Sequence, residues 1–103
     1  MTLWLDGALR PDGAAIPVSD RGLLLGEGLF ETLAAWDGRI LELEAHLERL
    51  ARSARVLGLP LAWSTEALAA AMASLLAADG LTAGRVVLRL SLTGGDGPRG
   101  LLP

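Results

Sequence analysis

His46, Arg49 and Ser53 follow one another at steps of three and four residues, the spacing that lines side chains along one side of a helix. Arg49 has the most chemistry to offer. A guanidinium presents a planar fork of N–H donors that suits phosphate oxygens, and it stays charged at physiological pH. Solvation, or pairing with a carboxylate, is the commoner fate of an arginine on a helix, and the residue types alone leave all three readings open. His46 is the only histidine, with no cysteine to activate and no second histidine to share a metal, so a structural role is expected for it and no metal is expected in the chain. Glu31 either looks toward a pocket or is a solvated edge carboxylate. Phe30, the only phenylalanine, reads first as a core residue and second as a substrate contact. Gly22, Gly26 and Gly28 punctuate the stretch 16–28, giving positive φ or a close backbone approach, but their spacing fits neither a dinucleotide fingerprint nor a Walker loop. Asp20 and Arg21 within it would pair locally or cap backbone groups. Arg99 stands near the end of a glycine-rich stretch, 93–100, that reads as a flexible turn.

The elements that must carry these residues follow from periodicity and turn chemistry. Asp6-Gly7 between 2–5 and 8–10 marks a hairpin, and Asp37-Gly38 joins a strand over 29–36 to a short one over 39–41. In 42–57, Leu43, Leu47, Leu50, Ala54 and Leu57 form one apolar stripe of a helix, which Gly58 and Pro60 stop. Glu42, His46, Arg49 and Ser53 flank that stripe, at the rim of the buried face. A second helix starts at Trp63-Ser64-Thr65-Glu66, capped by a hydroxyl, runs through Leu68, Met72, Leu75 and Leu76 to Asp79, and ends at Gly80. From 85 to 92 the chain alternates, with Val86, Leu88, Leu90 and Leu92 on one face and Arg85, Val87, Arg89 and Ser91 on the other. Hairpin strands, two helices and a strand predict an α+β fold, a largely antiparallel sheet with two helices packed on one side.

With 103 residues, 51% of them hydrophobic, and a formal charge of −3, the chain suffices for one domain and not for two. The negative balance and dispersed arginines exclude a nucleic-acid binder. No secretory signal is visible at the start, and the apolar run 67–78 is too short to span a bilayer. A soluble, cytoplasmic protein is expected. All nine basic residues are arginine, so the chain contains no lysine.

Val18-Ser19-Asp20-Arg21-Gly22, then Gly26-Glu27-Gly28-Leu29-Phe30-Glu31-Thr32, then Glu44-Ala45-His46-Leu47-Glu48-Arg49-Leu50 with Ser53-Ala54, in that order and at those distances, resemble the opening half of the fold-type IV (class IV) pyridoxal-phosphate enzymes. That family holds the D-amino-acid and branched-chain aminotransferases and aminodeoxychorismate lyase. The resemblance implies the small amino-terminal domain of such an enzyme over 1–103, with the carboxyl-terminal catalytic domain absent from this chain. It implies pyridoxal 5′-phosphate as cofactor in the complete enzyme, Arg49 on its phosphate, and Arg99 near the substrate carboxylate. His46 belongs to the helix framework in this family. The Schiff-base lysine lies downstream of the matched region, so no catalytic residue is expected here and the chain alone is expected to be inactive. The chain departs from many relatives at Leu23, Leu24 and Leu25, where an aromatic residue is common, and at Gly94-Gly95, where Arg-Gly is common.

Within the family, Phe30-Glu31-Thr32 and the glycine-rich tail are more similar to aminodeoxychorismate lyase and the D-amino-acid type than to the branched-chain type, and an activity like that of aminodeoxychorismate lyase, which forms 4-aminobenzoate and pyruvate for folate synthesis, is the first expectation. A D-amino-acid or branched-chain aminotransferase is the alternative, and a non-catalytic interaction module derived from this domain is a second. An amino-acid or chorismate-derived substrate and a homodimer are implied, with exposed apolar patches where the second domain would meet this one.

Overall fold

In the computed structural model, residues 2–96 are described. The chain opens with a hairpin of β1 (Leu3–Leu5) and β2 (Ala8–Arg10). Asp6 and Gly7 both take positive φ, 47° and 96°, as a two-residue turn matching strand twist requires. The hairpin forms a two-stranded sheet of its own. A second sheet holds β3 (Gly28–Trp36), β4 (Arg39–Ile40) and β5 (Arg85–Thr93) in the order β4-β3-β5, antiparallel throughout. The Asp37-Gly38 turn joins β3 to β4. The Asp37 carboxylate also accepts the Gly84 N–H at 2.7 Å, tying that turn to the start of β5.

β3 and β5 pair over their whole lengths, from Gly28 opposite Thr93 to Trp36 opposite Arg85. Alternation sends Leu33, Ala35 and Leu88 to one face, where they are buried against two helices. Helix α2 (Leu43–Leu57) contributes Leu47 and Leu50, and α3 (Thr65–Ala78) contributes Leu68, Met72 and Leu76. This is the expected α+β arrangement. α3 begins at the cap read from sequence, the Ser64 hydroxyl accepting from the Ala67 N–H at 3.0 Å. α2 ends as expected, with Gly58 at φ 69° and its N–H turned back on Ala54 and Arg55 carbonyls. At its start Glu42 is left-handed, with φ 55°, so it leaves the flanking stripe expected of it. Leu57 is exposed, and the apolar stripe ends at Ala54.

The hairpin docks along α3. The Thr2 amide donates to the Asp79 carboxylate at 3.0 Å, the Thr2 hydroxyl donates to the same group, and these bonds lower the Asp79 carboxyl below its ordinary range. Trp4 meets Trp63 edge to face, with ring centroids 5.2 Å apart, a favoured aromatic geometry. Between β2 and β3 the stretch read as a glycine loop contains one short helix, α1 (Arg21–Leu25). Asp20 caps it by accepting the Gly22 N–H at 2.9 Å, and Gly26 ends it at φ 66°.

Candidate functional site

Residue parity along β3 puts Glu31 on the helix-facing side, between Leu29 and Leu33 and opposite Leu90. It is 6% exposed, which corrects the edge-carboxylate reading. A charge buried so far needs partners, and α2 provides two. Glu31 Oε1 lies 2.6 Å from His46 Nδ1 and accepts from Arg49 Nη2 at 2.6 Å, while Oε2 accepts from Arg49 Nε at 2.9 Å. His46 and Arg49, three apart on one helix, therefore converge on one carboxylate. The Arg49 hydrogen bonds, helped by His46, hold the Glu31 carboxyl at about 2 against the opposing push of burial. The same contact raises the Arg49 guanidinium further. An ionised carboxylate only accepts, so the Nδ1 facing it carries the ring proton.

The Arg49 side chain is 60% exposed. Glu31 takes the Nε–Nη2 edge of the guanidinium, and among the described residues no group takes Nη1. A phosphate approaching from solvent would meet a charged donor already oriented on its other edge.

Phe30, one residue before Glu31, points to the opposite face of the sheet and is 58% exposed, so it is not the core residue expected first. The Arg89 guanidinium carbon lies over its ring, 4.2 Å from the centroid, a cation–π contact. Phe30, Arg89, Ser91, Thr93 and the glycines 22, 26 and 28 line an open depression of about 350 Å³. Arg49 does not line that depression; it reaches the other side of β3. β4 pairs only with Ala35 and Trp36, so among the described residues the edge of β3 is uncovered beside Phe30 and Glu31.

The segment from 19 to 28 is sewn to the end of β5. Arg21 and Asp20 are buried. Arg21 pairs with Glu27 through Nε at 2.9 Å and Nη2 at 2.7 Å, in place of the Asp20 partner that sequence suggested. The Thr93 hydroxyl donates to Asp20 at 3.0 Å, the Arg21 amide donates to the Gly95 carbonyl at 2.7 Å, and the Gly94 amide to the Glu27 carbonyl at 2.9 Å. Gly94 and Gly95 are held by these bonds and Asp96 forms a β-bridge with Asp20, so the described part of the stretch, up to Asp96, is tied down where a flexible turn was expected. Arg99 lies outside the described residues.

Two contributors went unassigned in the sequence. The period of β3 contained the signal for Glu31, a carboxylate at a core parity that demands a cation. Arg89 had no such signal, because its closeness to Phe30 depends on the register of β3 with β5. Among the described residues, no group of three or more His, Cys, Asp or Glu side chains suits a metal ion, and no helix is long and apolar enough to cross a membrane.

Residues 28–103 match the family model described as amino-transferase class IV. The chain is similar to a D-alanine aminotransferase of Staphylococcus epidermidis, 32% identical over 91 residues that cover 88% of this chain and 32% of that protein. It is also similar to a bifunctional aminodeoxychorismate lyase / D-amino acid transaminase of Mycobacterium tuberculosis, 44% identical over 61 residues, 58% of this chain and 21% of that protein. A crystal structure of 4-amino-4-deoxychorismate lyase from Pseudomonas aeruginosa superposes with a TM-score of 0.73 at 42% identity, over 89% of this chain and 32% of that one. The chain spans about a third of the length of such relatives. With the α+β fold and this matched stretch together, the chain belongs to the class IV aminotransferase family, whose members depend on pyridoxal 5′-phosphate.

Proposed function

We propose that residues 1–103 are the amino-terminal domain of a pyridoxal-phosphate enzyme and that Arg49 grips the cofactor phosphate. The observation that carries this is the Arg49 guanidinium, fixed on one edge by buried Glu31 and open to solvent on the other. A phosphate dianion takes charge-assisted hydrogen bonds from such a group. The bound cofactor supplies an electron sink for negative charge developing on a substrate carbon. The 103 residues include no lysine, so in this reading the amine that holds the cofactor aldehyde belongs to a following carboxyl-terminal domain. Phe30 offers the substrate an apolar wall, Arg89 beside it offers a carboxylate a counter-charge, and the uncovered edge of β3 lies between that face and Arg49. Exposed Leu23, Leu24 and Leu25 on α1 and Val56 on α2 support burial of these faces by the rest of the enzyme and by a second subunit of a homodimer.

For the reaction, the reading is an aminodeoxychorismate lyase-like activity, supported by the 42% identity to the Pseudomonas protein of that name. The 88% coverage of this chain by a D-alanine aminotransferase favours amino-group transfer from a D-amino acid as the second reading. The first test is Arg49→Ala in the full-length protein, titrated with pyridoxal 5′-phosphate and followed by cofactor absorbance. Loss of a charge-assisted phosphate contact predicts affinity weakened about 10- to 100-fold; unchanged affinity removes Arg49 from the site. Pyruvate and 4-aminobenzoate release, assayed beside amino transfer from D-alanine, separates the two reactions.

A further inference from the structure

We infer that Glu31 is the positioning residue for the phosphate grip, holding the Arg49 guanidinium in the orientation from which it meets the cofactor. The inference rests on the phosphate-binding reading of Arg49 and adds to it a residue that touches no ligand.

Three observations carry it. First, Glu31 occupies a position that β3 otherwise gives to Leu29, Leu33 and Ala35. An apolar side chain there would complete the core without the cost of burying a charge, so packing does not account for the carboxylate. Second, both of its oxygens are used, and the Arg49 contact is two-pronged, through Nε and Nη2. A fork held along one edge fixes the guanidinium plane and leaves Nη1 directed away from the clamp. Third, His46 Nδ1 also lies 2.6 Å from Oε1, so the carboxylate cannot swing without breaking contacts with two residues of α2. Without the clamp, a side chain 60% exposed would explore many rotamers and would have to be ordered at each binding event.

The opposing effect is charge. Glu31 cancels part of the positive potential of Arg49, so a purely electrostatic account predicts that its removal tightens phosphate binding. Pre-orientation predicts the opposite sign. Directional contacts between a guanidinium and a phosphate depend on the fork geometry, which decides for weakening.

The experiment uses the full-length protein and its Glu31→Gln, Glu31→Asp, Arg49→Ala and Glu31→Gln/Arg49→Ala variants. Affinities for pyridoxal 5′-phosphate and for pyridoxal, which lacks the phosphate, are measured by absorbance titration, with folding checked by circular dichroism. The readout is the ratio of the two affinities, which a loss of fold alone would not move selectively. E31Q should lower the ratio about 3- to 10-fold, the cost of ordering one long side chain on binding. R49A should lower it further, the double variant should fall no lower than R49A, and E31D, which keeps the charge and the acceptors, should recover part of the loss. Should E31Q fail to fold, E31D decides: a ratio at or above wild type would overturn the inference, and a smaller loss than R49A would support it. A ratio unchanged or raised in folded E31Q, with R49A still impaired, overturns the role of Glu31 and leaves that of Arg49 standing. A ratio unchanged in R49A overturns both.

Discussion

Acid should loosen the contact between β3 and α2, and the loss should trace to one carboxylate. The Glu31 carboxyl has an ordinary value of 4.5 and is held at about 2 by Arg49 and His46. A depressed carboxylate contributes stability that is present above its unfolded value and is lost as pH falls through the folded one, so the window runs from about 4.5 down to about 2. At full strength that gap corresponds to about 3 kcal/mol. Arg49 is 60% exposed, however, and solvent screens its side of the contact, which reduces the expected figure to about 1–2 kcal/mol. The assay is backbone hydrogen exchange in β3 and α2 of the full-length protein, corrected for the intrinsic pH dependence of exchange, in wild type and Glu31→Gln. At neutral pH the wild type should be the more protected by about 1–2 kcal/mol. The two profiles should then converge as pH approaches 2, because the wild-type carboxyl is protonated there as well. Other carboxylates, including the Asp79 group that binds Thr2, are common to both proteins and cancel in the difference. Parallel profiles across the window would refute the reasoning, since they would mean that Glu31 does not lose its charge-dependent contacts on protonation.

Leu50 is 1% exposed and belongs to the core cluster that joins α2 to Leu33 and Leu88 of the sheet and to Leu68, Met72 and Leu76 of α3, so Leu50→Ala should cost about 2–5 kcal/mol through lost burial and the cavity left behind; a fall in the unfolding midpoint of the full-length protein, or in amide protection of α2, measures it. A Cβ added at Gly22 would lie 2.5 Å from Thr93 Cγ2 and 2.9 Å from Asp20 Oδ2. Gly22→Ala should therefore break the Thr93–Asp20 hydrogen bond and release the end of β5, at a cost of about 1–3 kcal/mol, seen as faster proteolysis and faster amide exchange between 19 and 28.

Most of the framework was legible in the residues because it is locally encoded. Asp6-Gly7 and Asp37-Gly38 place their turns by backbone preference, Ser64 and Gly58 place helix ends by the hydrogen bonds they make, and the alternation of 85–92 placed the buried face of β5. The short helix α1 was missed because three glycines in one stretch point to a loop, whereas the cap from Asp20 and the packing of Arg21 favour a helical turn. Of the candidate site, Arg49 was legible as a candidate through its motif, but its pairing with Glu31 was not. Phe30 was legible as a residue of interest, but its side was not: its exposure follows from the parity of β3 once Leu33 and Ala35 have taken the helix face.

What the sequence by itself determined is every element but α1, their order, the family and, in Arg49, a candidate cation of the type that suits a phosphate. Periods of two and 3.6, turn residues and motif spacing are all properties of neighbours in the chain. Tertiary structure alone decided who meets whom: Glu31 with His46 and Arg49 fifteen and eighteen residues on, Phe30 with Arg89, Asp20 with Thr93. A carboxylate or an aromatic ring acquires its role from the burial and the partner it receives. Those are set when α2 is laid on β3 and when β5 pairs with β3 in one register rather than another.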